Sequence, residues 1–224
     1  MTTSTSQALV NNKSTLTCFY TNAHSIINKR DELRVYLDEV TVDIIAITES
    51  WAFEDVHDNE LEINGYKMYR KDRKDTHHGR GGGVLLYVAE SLISVHVEVT
   101  TEFVNSVWCD IMGQGGRTRI GIVYRSPNST NENNERLVSL LNEIVTTESV
   151  VIIGDFNFPA LDCGSITANA EAQPFLDWTL DNGFTQHVNY ATRGDNILDL
   201  ILTSEPDMVS ESFPIGKLGN SDHE

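Results

Sequence analysis

The sequence predicts an α/β protein built on mixed sheets, and three observations carry that prediction. Four apolar runs rich in β-branched residues read as strands covered on both faces: LTCFYTN to Asn22, VDIIAITE to Glu49, VVIIGDFN through Asp155 and Asn157, and ILDLIL around Asp199. Segments with helical periodicity lie between these runs, which is the pattern of layered α/β architecture. The middle of the chain carries further strands joined at hairpin spacing, so some neighbours must be antiparallel.

Taken in order, the opening MTTSTSQALVNNKST is polar and without periodicity, so residues 1–14 are expected to be a disordered lead-in, with structure beginning near Leu16. One domain is expected over residues 15–224, because no linker divides them. After the first strand, Leu33, Leu37 and Val40 fall at i, i+4 and i+7 and predict a helix over Asn28 to Val40 with one core-facing stripe. VDIIAITE follows as a buried strand. Gly65 to Arg73 reads as an edge strand, and RGGGVLLYVAE as a glycine turn, in which Gly81 to Gly83 permit positive φ, leading into another strand. SVWCDIM and RTRIGIVYRSP are the next two strands, connected through Gly113 to Gly116, and Pro127 stops the second. Leu137, Leu140, Leu141 and Ile144 form one face of a helix over Glu135 to Val145. A shorter helix over Pro174 to Asn182 is closed by Gly183, and ILDLILT is the last strand.

Composition narrows the function. The formal charge of −17 over 224 residues argues against broad, non-specific phosphate binding, which depends on Lys and Arg releasing counterions. Any nucleic-acid contact is therefore local. Basic residues do cluster, with Lys67, Arg70, Lys71, Arg73, Lys74 and Arg80 in one stretch and Arg117, Arg119 and Arg125 in another, and the default reading of both is solvated surface. The opening lacks a basic n-region and an apolar h-region, and no run approaches the roughly 18 apolar residues of a membrane span, so the protein is expected to be neither secreted nor membrane-bound. Cys18, Cys109 and Cys163 show no CxxC or Cys/His spacing, which fits reduced thiols and argues against structural zinc. His77-His78 sits in a polar basic loop and reads as exposed.

The chemistry lies at the strand ends. A polar group that closes an apolar run emerges at the sheet's edge, and several such ends can line one pocket. If the strand continued through GDFN, Asp155 and Asn157 would project from one face, putting a carboxylate beside an amide. A carboxylate can bind a hard cation or take a proton from water, and an amide donates a neutral hydrogen bond to an anionic oxygen. Glu49 supplies a second carboxylate. His223 of the terminal Ser221-Asp222-His223-Glu224 could donate to a phosphoryl oxygen when protonated, and a carboxylate such as Asp199 would raise its pKa and fix its orientation. Hydrolysis of a phosphodiester needs an activated water, a cation and charge-stabilising donors, and this inventory supplies all three.

The motifs TNAHSIINKRDEL, DIIAITESW, GGGVLLYV, IGIVYRSP, GDFNFP, TRGDNILDLILT and SDH run in order over nearly the whole chain and resemble the endonuclease/exonuclease/phosphatase family. The closest resemblance is to the apurinic-type endonuclease domain of LINE-type, jockey-like non-LTR retrotransposons. That resemblance implies a two-layer mixed β-sheet sandwich flanked by helices, the DNase I-like four-layer fold, cleaving phosphodiesters with Mg²⁺ or Mn²⁺. It implies Glu49 as principal metal ligand with Asn22 beside it, and Asp155 as activator of the attacking water. Asn157 and His223 would stabilise the transition state, Asp199 would orient His223, and Asp222 would assist at the metal or the base. Tyr124 falls where the family has a phosphate-contacting or leaving-group tyrosine.

The implied activity is nicking of DNA to leave a 3′-hydroxyl from which the reverse transcriptase domain of the same polyprotein primes, by a monomer acting in the nucleus or otherwise in the cytoplasm. An abasic-site repair endonuclease, another phosphoesterase of the same fold, and a truncated inactive remnant are the alternatives. The pattern departs from the family in two places. A C-terminal strand that follows SDH in the family is expected to be lacking here, and His24 stands where arginine is commoner.

Overall fold

The computed structural model describes residues 15–73, 81–113, 116–145 and 149–223. The lead-in expected over 1–14, the connection at 114–115, Lys74, His77, His78, Arg80 and Glu224 lie outside the described residues.

Two mixed sheets stack face to face. The first has the order β1 (Cys18–Asn22), β2 (Ile44–Thr48), β4 (Val84–Ala89), β3 (Tyr66–Lys71), with β1 parallel to β2 and the other pairs antiparallel. The second has the order β5 (Ile93–His96), β6 (Ser106–Gly113), β7 (Gly116–Tyr124), β8 (Ser149–Asp155), β10 (Asp199–Thr203), β9 (Thr185–Gln186), with only β7 and β8 parallel. Helix α1 (Arg30–Glu39) covers the outer face of the first sheet, and α3 (Asn131–Ile144) and α4 (Gln173–Asp181) cover that of the second. A single turn, α2 (Asp58–Leu61), lies before β3. This is the expected two-sheet sandwich between helical layers.

Period-2 alternation assigns each strand's side chains to a layer. In β2, Ile44 and Ala46 face the inter-sheet core with Leu86, Cys109, Ile122 and Ile153, while Ile45 and Ile47 face the α1 side with Leu33 and Leu85. In β8, Val150 and Ile152 pack under α3 against Leu137, Leu141 and Trp178. Because both faces of these strands are covered, polar residues are confined to the strand ends, and the ends are where the site forms.

Several sequence expectations need correction. Helix α1 ends at Glu39 and leaves Val40 extended and 37% exposed, so Val40 is not part of the buried stripe. Helix α3 starts at Asn131 instead of Glu135, because Thr130 Oγ1 accepts from Asn133 N and caps a first turn made of poor helix formers. Strand β8 ends at Asp155, so Asp155 and Asn157 do not share one strand face. Arg119 and Arg125 are buried and not solvated: Arg119 holds Asp110 at 2.8 Å, and Arg125 sits behind the GDFN turn. Strands β5 and β9 and helix α2 have no counterpart in the sequence reading. Gly65–Arg73 does contain an edge strand, β3, and Gly81, Gly82 and Gly83 do have positive φ. Among the described residues no helix is long and apolar enough to cross a membrane.

Candidate active site

β1 and β2 run parallel and end together, with Asn22 paired to Thr48 in register and Glu49 next in the chain. In the other sheet β8 ends at Asp155, whose register partner is Asp199, the first residue of antiparallel β10. The stacking of the sheets therefore brings four chain segments to one end of the sandwich, and the segment 218–223 adds His223 from above.

Contacts at that end are dense and buried. The Asn22 amide donates to Asp155 Oδ2 at 2.8 Å and to Glu49 Oε1 at 3.3 Å. His223 Nε2 is 3.5 Å from the same amide nitrogen and 3.8 Å from Asp155 Oδ2. His223 Nδ1 lies 2.6 Å from Asp199 Oδ2, and Tyr20 donates to the other Asp199 oxygen. The histidine is held from behind: Ser221 Oγ donates to Asn22 O at 2.7 Å and accepts from His223 N at 3.2 Å. Thr192 Oγ1 accepts from the backbone N–H groups of Leu198 and Asp199 and fixes the start of β10.

Asp155 and Asp199 are two buried carboxylates directly opposite one another, a pairing that raises the energy of the doubly ionised state. Burial and the neighbouring Asp199 push the Asp155 carboxyl well above the usual range, against the lowering influence of His223 and Asn22. Burial opposes a charge on His223, but its hydrogen bond to Asp199 and the charges of Asp199, Asp155 and Asp222 outweigh it, so the imidazole pKa lies above its ordinary value. Tyr20, raised by burial and by Asp199, stays a protonated donor.

Backbone strain collects here. His24, Ser25, Glu49, Trp51 and Asn157 all have φ between 44° and 80°, and among the described non-glycine residues only Ile166 elsewhere shares that conformation. Such strain persists only where the surroundings over-determine it, and it gathers at functional sites. The surroundings are visible: Ser25 N donates to Glu49 O, Ile26 N to Ser50 O, Ser50 N to Gly83 O and Trp51 N to Gly82 O, a ladder that continues past the ends of the strands.

Of the eight residues singled out from sequence, five converge: Asn22, Glu49, Asp155, Asp199 and His223. Tyr124 is buried alongside, its hydroxyl bonded to Glu49 and its pKa raised by burial and that carboxylate. Asn157 turns its amide onto Arg125 O at 2.8 Å, and its backbone N–H caps Asp155 Oδ1 at 3.1 Å. Asp222 faces outward, 2.5 Å from Arg193 and 3.6 Å from His24, and Arg193 holds its carboxyl below the usual range against the effect of burial.

Tyr20, Trp51, Arg125, Thr192 and Ser221 were missed. Tyr20 was open to discovery, since it lies two residues before Asn22 and so on the same face of β1. Arg125 is fully buried, bonded to Asn134, Asn157 O and Glu171 and stacked 3.9 Å from the Phe158 ring centre. Nothing in its sequence context separates it from a surface arginine.

The donor set suits a hard divalent cation. Glu49 and Asp155 offer oxygen ligands, whereas Asn22 turns its NH2 to both carboxylates and accepts from His24 N at Oδ1, so it would add an oxygen to a cation only with the two ends of its amide exchanged. Ligand atoms of Asp155, Asp199 and His223 also lie within 4.8 Å of one another, but the Asp199–His223 hydrogen bond makes that group a carboxylate–imidazole pair aimed at Asp155.

Residues 118–224 match the family described as Endonuclease-reverse transcriptase. No curated protein matches the chain. Among solved structures, the endonuclease domain of TRAS1, a telomere-specific non-LTR retrotransposon, is 13% identical, with 83% of each chain covered and a TM-score of 0.58. An AP endonuclease from Archaeoglobus fulgidus is 16% identical over 84% of this chain and 86% of that one, with a TM-score of 0.62. TDP2 of D. rerio, complexed with a single-strand DNA product, is 15% identical over 94% and 96%, with a TM-score of 0.60. At these identities the likeness is one of fold.

Proposed function

We propose that this chain is a member of the endonuclease/exonuclease/phosphatase family and a divalent-metal-dependent phosphodiesterase that nicks DNA and leaves a 3′-hydroxyl for target-primed reverse transcription. The observation that carries the reading is the buried line Asp199–His223–Asp155, joined through Asn22 to Glu49. Three carboxylates, an imidazole and a bridging amide meet at strand ends, with the Asp155 and His223 pKa values both raised by their surroundings, and perturbed titratable groups gathered in this way mark functional sites.

Glu49, with Asn22, would hold Mg²⁺ or Mn²⁺, which supplies Lewis-acid polarisation of a phosphoryl oxygen. Asp155 accepts the proton of the attacking water at Oδ2. Its raised pKa makes it a better base than an ordinary carboxylate near neutral pH. With Nδ1–H given to Asp199, His223 must carry a second proton on Nε2 to donate to a phosphoryl oxygen, and its raised pKa favours that form. The amide of Asn157, expected to stabilise the transition state, is turned onto Arg125 O, and the role given to Asn157 here is a different one, steadying Asp155 through its backbone N–H; Tyr124 steadies Glu49, and Asp222 holds Arg193 at the rim.

The description of the family matched over residues 118–224 and the fold of the TRAS1 domain favour the retroelement role, in which a reverse transcriptase segment of the same polyprotein would use the nick. The deciding experiment is nicking of supercoiled plasmid with Mg²⁺ beside Asp155→Ala and His223→Ala, with the nicks challenged by a DNA polymerase. Polymerase extension from nicks made only by the parent protein supports the reading. A folded parent that leaves the plasmid closed sinks it, and cleavage confined to an oligonucleotide with an abasic site moves the assignment to repair.

A further inference from the structure

We infer that Trp51 is a positioning residue for the cation site, holding Glu49 by its indole N–H so that the carboxylate faces the cleft with its charge intact. The inference rests on reading Glu49 as the cation ligand. It starts from an outlier: a bulky aromatic residue at φ 57°, a conformation that such residues rarely adopt. Its consequence is local and visible. Turning the chain left-handed at both Glu49 and Trp51 folds the indole back over the carboxylate two residues earlier, and Nε1 donates to Glu49 Oε2 at 3.1 Å.

The other carboxylate oxygen, Oε1, then meets Asn22 Nδ2 at 3.3 Å on the Asp155 side. Glu49 is thus pinned at both oxygens, one outward and one inward. The indole is fixed in turn. Its backbone N–H donates to Gly82 O at 3.1 Å, and the His24 ring packs against it with centroids 4.9 Å apart. An indole is a donor without charge, so it restricts the carboxylate's rotation without neutralising it, as a lysine or arginine would. Donors of this kind to a metal ligand commonly govern affinity by 10- to 100-fold.

The test is Mn²⁺ binding to the whole chain, followed by calorimetry and by electron paramagnetic resonance, for the parent and Trp51→Phe, which keeps a ring and removes only the N–H. The expected result is a Kd for Mn²⁺ about 10- to 100-fold higher in the variant at unchanged stoichiometry. A Kd within threefold of the parent overturns the inference and leaves the phosphodiesterase reading standing; a parent that binds no Mn²⁺ overturns both. A second measurement needs no folded variant: of the three tryptophan indole N–H resonances in the parent, one must shift on adding Mg²⁺ and broaden first with Mn²⁺. Trp108 and Trp178 are buried in the other core, so three unmoved resonances also refute the role.

Discussion

His223 Nδ1 stands 2.6 Å from Asp199 Oδ2, while Nε2 on the far side of the ring faces Asp155 at 3.8 Å. The imidazole is therefore oriented by one carboxylate and aimed past another, and Tyr20 keeps the first carboxylate in place. Asp199→Asn preserves shape but lets Nδ1 meet either an amide oxygen or an amide N–H, and it removes the charge that favours imidazolium. Single-turnover nicking by this variant should slow about 10²- to 10⁴-fold, the range of a lost general-acid contribution. Rates within threefold of the parent would remove Asp199 from the scheme.

The His223 pKa is raised on folding, so the folded protein binds this proton more tightly than the unfolded chain does. The resulting stability is fully present below the unfolded value of about 6.5 and is lost as pH rises through the folded one. Metal-free parent and His223→Gln should therefore differ most in Tm near pH 5.5 to 6, about one pH unit below that value, with the gap closing at alkaline pH. A gap constant from pH 6 to 9 would contradict the charged imidazole.

Asp155 carries the opposite consequence. Its raised folded pKa means that the ionised carboxylate costs stability at neutral pH and that the cost is relieved only as it becomes protonated at lower pH. Asp155→Asn, which removes the charge facing Asp199 and Glu49, should abolish nicking yet raise the Tm of the metal-free protein by about 2–4 °C, equivalent to about 1 kcal/mol at this chain length. A lower Tm would mean that the hydrogen bonds from Asn22 and Asn157 N outweigh the repulsion. Mg²⁺ at a hundred times its Kd should stabilise the parent by about 2.7 kcal/mol and the Glu49→Gln variant far less, as thermal shift would report.

How much of this was legible from sequence depends on whether a residue's role is set locally. Asn22, Glu49 and Asp155 stood out because each closes an apolar run, and a strand buried on both faces can place a polar group only at its end. Asp199 looked like another strand exit. It opens β10 and reaches the site because β10 runs antiparallel to β8, which hydropathy does not encode. The GDFN turn was read as a continuing strand, and the φ of 48° at Asn157, held by Arg125 behind it, broke that pattern. The burial of Arg125 and the ion pair of Asp222 were not legible for one reason: a charge's environment is made by segments distant in sequence, Glu171 and Asn134 for the first and Arg193 for the second.

The glycines at 81–83 read as a turn, and the structure gives Gly83 a second duty. At φ 79° it offers its carbonyl to Ser50 N, and an added Cβ would lie 2.5 Å from Ser50 Oγ, the oxygen that accepts from Ala52 N. Gly83→Ala must therefore strain its own backbone and push on the loop that carries Glu49 and Trp51. A stability loss of about 1–3 kcal/mol is expected, with Mn²⁺ affinity falling alongside. Chemical denaturation and metal titration of the same preparation would show whether the two move together; unchanged affinity despite lost stability would mean that Glu49 is held without this contact.

The Arg125 guanidinium is wholly buried, and its charge is met by Glu171, Asn134 and two backbone carbonyls of the GDFN turn. Glu171 is 39% exposed and can turn to water, so the loss falls on the buried Asn134 Oδ1 and the turn carbonyls, and Arg125→Ala should cost about 1–3 kcal/mol. Arg125→Met with Glu171→Gln refills the volume and removes both charges but restores none of the donors, so it should recover only the packing part of that stability. Activity should not recover with it, because the carbonyls of Phe156 and Asn157 still lack their donor and the Asn157 N–H that steadies Asp155 is no longer held. Denaturant melts and nicking rates of both variants separate the two effects. A double variant that regains both stability and rate would show that Arg125 serves the fold alone.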